Sequence, residues 1–358
     1  MIAAAPKGVV RTGIIGCGKI APLHAKAFAN LPESRFTAVC DGQVERAEAF
    51  AAEYGVPRVF SDPLEMLKSG EVDAVSVCTP HPSHAELVVA VANAGVHVIC
   101  EKPVSISLKD ADRMIAAADE AGVKFGVIFQ RRFWPAAQRM RKAIDSGQIG
   151  TPTLGECTGK LWRSEAYFGS DPWRGTWAAE GGGILMNQTV HMIDQLQWFM
   201  GPCVEVVGRI ATLRHGAYID VEDTAVATLV FENGGLATIT AASTFDPPFG
   251  FRVAIHGSSG ATVSVDESPE GNQGINDVWT IPGEMDQRAG WAEAEAGKSG
   301  FPSFHALQLQ DFLQAILEDR APAVTGAEAR KSLEIILAVY HSSRTGEPVK
   351  LPLATDPT

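Results

Sequence analysis

Short apolar runs and helical stretches alternate through the first third of the chain. Val9–Ile15, Phe36–Cys40, Val72–Cys78, Val96–Cys100 and Val123–Phe129 are near-continuous apolar or β-branched runs. That is the pattern of strands buried on both faces of a parallel sheet. Between them, Lys19–Asn30, Val44–Tyr54, Ser83–Ala94 and Leu108–Ala121 carry helical spacing, so a doubly wound α/β domain is predicted. Beyond about residue 150 the pattern changes. Thr224–Phe231, Gly235–Thr244, Phe251–His256 and Ala261–Val265 alternate or are β-branched. Turn signals at Glu232-Asn233-Gly234-Gly235 and Gly257-Ser258-Ser259-Gly260 separate them. An α+β domain with an open, mainly antiparallel sheet is predicted here, closed by helices over Ser303–Glu318 and Gly326–Ser343. The expected domains are 1–128 and 129–358, with the last helices free to pack back on the first. Residues 266–302, rich in Gly, Pro and acidic residues, read as a surface loop or a lid.

Composition narrows the class. The 358 residues suit two domains of roughly 150 each, and 46% apolar residues suit a globular core. The net charge, 30 − 42 = −12, argues against nucleic acid and anionic membrane as partners. No apolar run approaches the ~18 residues of a membrane span, and Met1–Gly8 does not read as a signal peptide. Six cysteines without a CxxC pair read as reduced thiols of a cytoplasmic protein.

Four motifs carry candidate chemistry. Gly16-Cys17-Gly18-Lys19-Ile20-Ala21 follows a predicted strand and opens a helix. Gly16 permits the turn, Gly18 lets the backbone approach a pyrophosphate, and Ala21 allows close packing, although glycines also end strands for structural reasons alone. Asp41, at the end of the second strand, suits the ribose hydroxyls of NAD and repels a 2′-phosphate, with Arg46 near enough to complicate that preference. Cys78-Thr79-Pro80-His81-Pro82-Ser83-His84 ends another strand. His81 and His84 lack a third ligand, so a nicotinamide-pocket loop is favoured over a metal site. Glu101-Lys102-Pro103 follows the next strand. Lys102 is either a plain surface lysine or a proton carrier whose pKa a nearby nicotinamide cation lowers. A charge ~5 Å away at an effective dielectric of ~20 is worth about 3 kcal/mol, or roughly 2 pKa units. Finally, Gly181-Gly182-Gly183 leads into a helix with Asn187 and His191 on one face and Asp194 beyond. His191 reads as a proton carrier or as a buried histidine satisfied by Asp194. No G-x-S-x-G elbow or P-loop is present.

Together with Asp311-Phe312 and Ala329-Arg330-Lys331-Ser332-Leu333, these motifs resemble the Gfo/Idh/MocA family (glucose–fructose oxidoreductase, inositol dehydrogenase, MocA-like). The resemblance implies an N-terminal Rossmann domain and a C-terminal domain with an open antiparallel sheet. It implies NAD-dependent oxidation, with NADP less favoured, of a secondary hydroxyl in a sugar, sugar acid, nucleotide-sugar or cyclitol. Lys102 matches the family's catalytic lysine and His191 its histidine. Asn187 stands where many members carry Asp, and an amide cannot act as a base. The cofactor site is expected to draw on Gly16, Cys17, Gly18, Lys19, Ile20, Asp41, Arg46, Thr79, Pro80, His81, His84, Glu101 and Lys102. Substrate is expected at Lys102, Asn187 and His191, against a wall chosen from Arg131, Arg132, Trp162, Arg163, Tyr167, Trp173 and Arg174. No metal is expected. The Trp173-Arg174-Gly175-Thr176-Trp177 stretch with the glycines and Met186-Asn187-Gln188 is similar to a branch that includes nucleotide-sugar and uronate 3-dehydrogenases. Homodimers or homotetramers through the C-terminal sheet are implied. The alternatives are an oxidoreductase that keeps NAD(P) tightly and cycles between two sugars, and a non-catalytic nucleotide-sensing Rossmann protein.

Overall fold

The computed structural model describes residues 8–271, 273–285, 287, 290–291 and 303–357. It divides into two compact units, one of Met1–Gln130 with Ser299–Arg330 and one of Arg131–Lys298 with Lys331–Thr358.

The first unit is built on a six-stranded parallel sheet. Its strands are β1 (Val10–Ile15), β2 (Ser34–Cys40), β3 (Arg58–Phe60), β4 (Ala74–Val77), β5 (His97–Cys100) and β6 (Phe125–Val127). The spatial order is β3-β2-β1-β4-β5-β6, the doubly wound order in which the chain reverses direction between β1 and β4. Ligands of such sheets bind outside the carboxyl ends of the strands at that reversal. The connecting helices are α1 (Ala21–Asn30), α2 (Val44–Tyr54), α3 (Pro63–Lys68), α4 (His84–Asn93) and α5 (Leu108–Ala121). α5 starts where Ser107 accepts a hydrogen bond from Asp110 N at 3.1 Å, a side-chain cap. α1 has no side-chain cap; Ala21 N and Leu23 N donate to Gly18 O and Ile20 O at 3.3 and 3.1 Å, and Pro22 between them has no N–H to satisfy. Ile14, Phe28, Val39 and Ile99 form one buried core. Leu309, Phe312 and Leu313 of a later helix, Phe304–Leu317, join it. Gln308 on that helix bridges Phe129 N and Val127 O at 2.9 and 2.7 Å.

The second unit carries a seven-stranded sheet. Its members in chain order are β7 (Pro152–Lys160), β8 (Cys203–Ala211), β9 (Thr224–Phe231), β10 (Leu236–Ala242), β11 (Gly250–Gly257), β12 (Thr262–Glu267) and β13 (Val349–Lys350). The order across the sheet is β12-β11-β7-β10-β9-β8-β13. Every pairing is antiparallel except β7 with β10, so the sheet is mixed. Val230 and Leu236 face each other across the β9–β10 hairpin, which turns at Glu232–Gly235 as the Asn-Gly signal implies. The helix Val190–Met200 lies across β7 and β11. Of residues 266–302, the described part from 275 to 279 pairs back onto β12, and Trp279 is buried. Much of the remainder, including 292–302, lies outside the described residues.

Candidate functional site

The glycine turn of the first unit sits at the carboxyl ends of β1 and β4. Gly16 has φ +95°, and a Cβ there would press to 2.8 Å against Thr79 and 2.9 Å against Cys78, so glycine is required on both counts. Gly16 N donates to Cys40 O and Cys78 N donates to Ile15 O, each at 2.8 Å, which locks the turn to its neighbouring strands. A Cβ on Gly18 would meet nothing within 4 Å. The backbone there is open, next to the uncapped start of α1, and this is a cradle that fits a dinucleotide's pyrophosphate. Lys19 and Pro80 are exposed, Ile20 and Thr79 half-buried, and Cys17 and His81 buried. Burial and the nearby Asp41 carboxylate push the Cys17 thiol up to about 12, so it is inert.

Asp41 braces that turn. One carboxylate oxygen accepts from Cys17 N at 2.9 Å and the other from Gln43 N at 2.8 Å. Arg46 Nη1 reaches the first oxygen at 3.3 Å from a largely solvated position. His84 is buried, and its two ring nitrogens lie 3.0 Å from Pro103 O and 2.9 Å from Thr79 O. Burial lowers its pKa. It ties the Thr79 loop to the Lys102–Pro103 loop, a bridging role that its place in the motif did not disclose.

Lys102, half-buried, leaves the carboxyl end of β5 beside the switch point, and the Lys102–Pro103 peptide is cis. The Glu101 carboxylate, expected at the cofactor, instead turns into the protein. Its Oε1 accepts from His24 Nε2 at 2.9 Å and lies 3.7 Å from His305 Nε2. Its Oε2 accepts from Lys102 N at 3.2 Å. His24 Nδ1 meets Ser76 Oγ at 2.6 Å. Burial opposes charge on the ring, but the Cys78 sulfur and Glu101 outweigh it and push His24 up to about 10. Burial would likewise raise Glu101, yet the His24 hydrogen bond and the cationic neighbours bring it down to about 2. The pair is therefore an imidazolium with a carboxylate. His24, Glu101 and His305 also offer ligand atoms within 4.8 Å of one another, a donor set metals accept. A metal would have to displace the His24 proton, since a protonated imidazole has no lone pair to give.

The second unit assembles the other group of candidates. Its glycines are forced by contact: a Cβ on Gly183 would lie 1.9 Å from Glu222 O, and one on Gly182 would lie 2.0 Å from the Tyr340 hydroxyl. The Glu222 carboxylate accepts from Gly183 N at 2.7 Å, Leu185 N at 3.0 Å and the Tyr340 hydroxyl at 2.9 Å. Pinned in this way, residues Leu185–Thr189 wind as a π-turn before the α-helix Val190–Met200 begins. The simple α-helical spacing expected between Asn187 and His191 therefore does not apply. Both residues are buried.

Asn187 Nδ2 donates to the buried Glu180 carboxylate, whose other oxygen accepts from Gly175 N at 2.6 Å. The Tyr167 hydroxyl takes hydrogen bonds from Arg174 at 2.6 Å and Gln188 at 2.8 Å. Its ring is flanked by the guanidinium carbons of Arg163 and Arg174 at 4.9 and 4.4 Å, and Arg174 also lies over Trp173 at 4.5 Å. Burial raises the phenol's pKa against the two arginines. Arg163 pairs with Glu270 and Arg174 with Asp171. Trp162 stacks edge-on against His215.

Three of these residues take partners other than those expected. Asp194, read as a partner for His191, gives its oxygens to Arg132 Nε and Nη2 at 2.7 Å each, because two planar groups buried together satisfy one another best as a fork. That also takes Arg132 from the candidate substrate wall. Arg131 is buried and held by Glu267 at 2.8 Å between the rings of Trp134 and Phe251. It serves packing. Sequence reading missed His24, Ser76, His305, Glu180, Gln188 and Glu222. Only Glu180, directly before the three glycines, and Gln188, directly after Asn187, had a signal in their position.

Comparison with known proteins follows the same division. Residues 10–129 match the family model described as "Oxidoreductase family, NAD-binding Rossmann fold". Residues 137–263 match the "GFO/IDH/MocA C-terminal domain". The chain is 29% identical over 345 residues to the myo-inositol 2-dehydrogenase of Thermotoga maritima, covering 96% of this chain and 98% of that protein. It is 31% identical over 254 residues to the D-glucoside 3-dehydrogenase of Escherichia coli, covering 66% and 71%. Among solved structures it resembles the WlbA dehydrogenase of Bordetella pertussis, crystallised with NADH and UDP-GlcNAcA. That match has TM-score 0.84 and 31% identity, over 96% of this chain and 99% of that one.

Proposed function

Since the chain belongs to the Gfo/Idh/MocA family and is an NAD-dependent oxidoreductase of CH–OH donors, we propose that it oxidises a secondary hydroxyl of a sugar, sugar acid, nucleotide-sugar or cyclitol, with Lys102 and His191 handling the proton. The observation that carries this reading is Lys102 at the carboxyl end of β5, in the same unit as the Gly16–Gly18 cradle and Asp41.

Bound NAD supplies the hydride acceptor. The protein's own groups do the rest. The Gly18 backbone and the start of α1 hold the pyrophosphate, and Asp41 takes the ribose hydroxyls. The substrate hydroxyl gives its proton to neutral Lys102 Nζ, and His191 is the second proton carrier. Asn187 orients a hydroxyl without taking a proton, because an amide is no base. Arg163, Tyr167, Trp173 and Arg174 offer the stacked rings and fork-like donors that polyols need, which supports a sugar-type substrate. The named substrates of the relatives, myo-inositol, a D-glucoside and UDP-GlcNAcA, fall in that class.

We also propose a homodimer or homotetramer. Leu154, Val207, Val226 and Leu236 are exposed on β7, β8, β9 and β10, an apolar set on one sheet that a second copy would cover. No helix among the described residues is long and apolar enough to cross a membrane. None of the six cysteines is disulfide-bonded, and five are buried, which supports a cytoplasmic location. A panel of cyclitols, aldoses, glycosides, uronates and nucleotide-sugars, each with NAD and with NADP, tests the function by absorbance at ~340 nm. Turnover of one class with NAD supports it. NADH binding without turnover of any of them favours the nucleotide-sensing alternative.

A further inference from the structure

The helix that carries Asn187 and His191 starts directly after Gly181-Gly182-Gly183, which have no side chains to cap it. Ile184, at its N-cap position, makes no capping hydrogen bond either. The helices that begin after Ser107 and Ser303 are capped by those serines. Here the first amides are met from far along the chain. The Glu222 carboxylate accepts from Gly183 N at 2.7 Å and from Leu185 N at 3.0 Å, and the Glu222 carbonyl accepts from Ile184 N at 3.2 Å. One residue thus holds three successive N–H groups.

Glu222 is itself firmly placed. It is buried, just ahead of β9, and the Tyr340 hydroxyl donates to its carboxylate at 2.9 Å. The next residue is fixed independently. Asp223 N donates to Ala211 O at 3.1 Å. The Asp223 carboxylate accepts from Leu213 N, Arg214 N and His215 N at 2.9, 2.7 and 2.9 Å. A buried acceptor tied to the sheet in this way is a rigid reference point for the turn it holds.

We propose that Glu222 is a positioning residue for Asn187 and His191: it caps their helix from just ahead of β9 and so holds its first turn as a π-turn. This rests on the reading of His191 as a proton carrier. A π-turn closes i→i+5 hydrogen bonds where an α-turn closes i→i+4, so it takes in one more residue. Relaxing Leu185–Thr189 to an α-turn would slide Asn187 by one place relative to His191, which lies in the regular helix beyond. One place on a helix is a rise of about 1.5 Å and a rotation of about 100°. A misplacement of about 1 Å at a reacting centre can cost about 10²-fold in rate. Each carboxylate oxygen of Glu222 faces a backbone N–H, which can only donate, so both oxygens must accept. A glutamine there would keep one acceptor and set an N–H against another N–H.

The test compares full-length Glu222→Ala and Glu222→Gln with wild type, well below their melting temperatures. Two readouts are taken: kcat on the sugar or cyclitol that the panel identifies, and the His191 ¹³Cε1 resonance in histidine-labelled protein, assigned with His191→Gln. Glu222→Ala is expected to lower kcat about 10²-fold, and Glu222→Gln by less. The Kd for NADH should stay within about threefold, since the cradle is built by the first unit alone. The His191 resonance should be displaced in both variants. If Glu222→Ala does not fold, Glu222→Gln decides the matter by the same two readouts. A lowered melting temperature with kcat and the His191 resonance as in wild type would overturn the proposal and leave Glu222 a structural residue. Turnover by His191→Gln separates the two claims. If that variant keeps full turnover, the reading of His191 as a proton carrier fails, and the resonance still decides whether Glu222 positions it.

Discussion

A buried glutamate supports the candidate residues of each unit, Glu101 in one and Glu222 in the other, and the two are shifted in opposite directions. Glu101 in the first unit is brought down to about 2. Glu222 in the second is pushed up to about 7 by burial, against hydrogen bonds from Leu185 N, Gly183 N and the Tyr340 hydroxyl. Both are almost fully removed from water. The number of hydrogen bonds does not separate them, since Glu222 accepts three from the groups named and Glu101 accepts from His24 and Lys102 N. The charge of the partner does. An imidazolium offsets the desolvation of a carboxylate, whereas neutral dipoles offset only part of it. The first unit thus keeps a charge pair beneath Lys102. The second uses a group poised near neutral pH to shape the backbone ahead of Asn187 and His191.

Truncation of Glu101 is expected to have the largest effect. Glu101→Ala strands the His24 charge in the interior and is expected to cost about 3–5 kcal/mol in urea unfolding near pH 6. A loss below about 1 kcal/mol would show that the pair is not charged. The pH dependence of stability is the next largest effect. His24 is raised from its ordinary 6.5 to about 10, so its contribution is complete below 6.5 and is lost as pH rises through about 10. Glu101 is lowered from 4.5, so its contribution is complete above 4.5 and is lost as pH falls towards about 2. Stability from this pair therefore peaks between 4.5 and 6.5. Glu222 runs the other way. Its raised pKa favours the folded state below 4.5, and that advantage fades as pH rises through about 7. Glu222→Gln should flatten the decline between 4.5 and 7, as measured by denaturant midpoints at stepped pH. The smallest effect is expected at a solvated pair. Arg46 lies 3.3 Å from Asp41 but is nearly half exposed, so Arg46→Ala should change stability by less than about 1 kcal/mol.

The parts of this picture differed in how well the sequence showed them. The parallel strands were plain because a strand covered on both faces is apolar at nearly every position, as β4 is. β8 was not, because Cys203–Ala211 mixes Glu205 and Arg209 on its open face with apolar residues. β3 has three residues and β13 two, too few for any periodicity. The glycine turn, Asp41 and Lys102 could be read from local spacing. The partner of Glu101 could not, because His24 lies 77 residues away and only the fold brings it near. The π-turn was equally hidden. It depends on Glu222, whose carboxylate holds Gly183 from 39 residues on. Asp194 misled for the complementary reason: its partner Arg132 is 62 residues away, while His191 is three.

The proposed NAD-dependent oxidation turns on proton transfer to Lys102. The most direct test is Lys102→Ala, assayed for turnover on the responsive sugar or cyclitol and for NADH binding by fluorescence. Turnover is predicted to fall about 10²–10⁴-fold, with the Kd for NADH within about threefold of wild type. Unchanged turnover in that variant would show that Lys102 does not carry the proton.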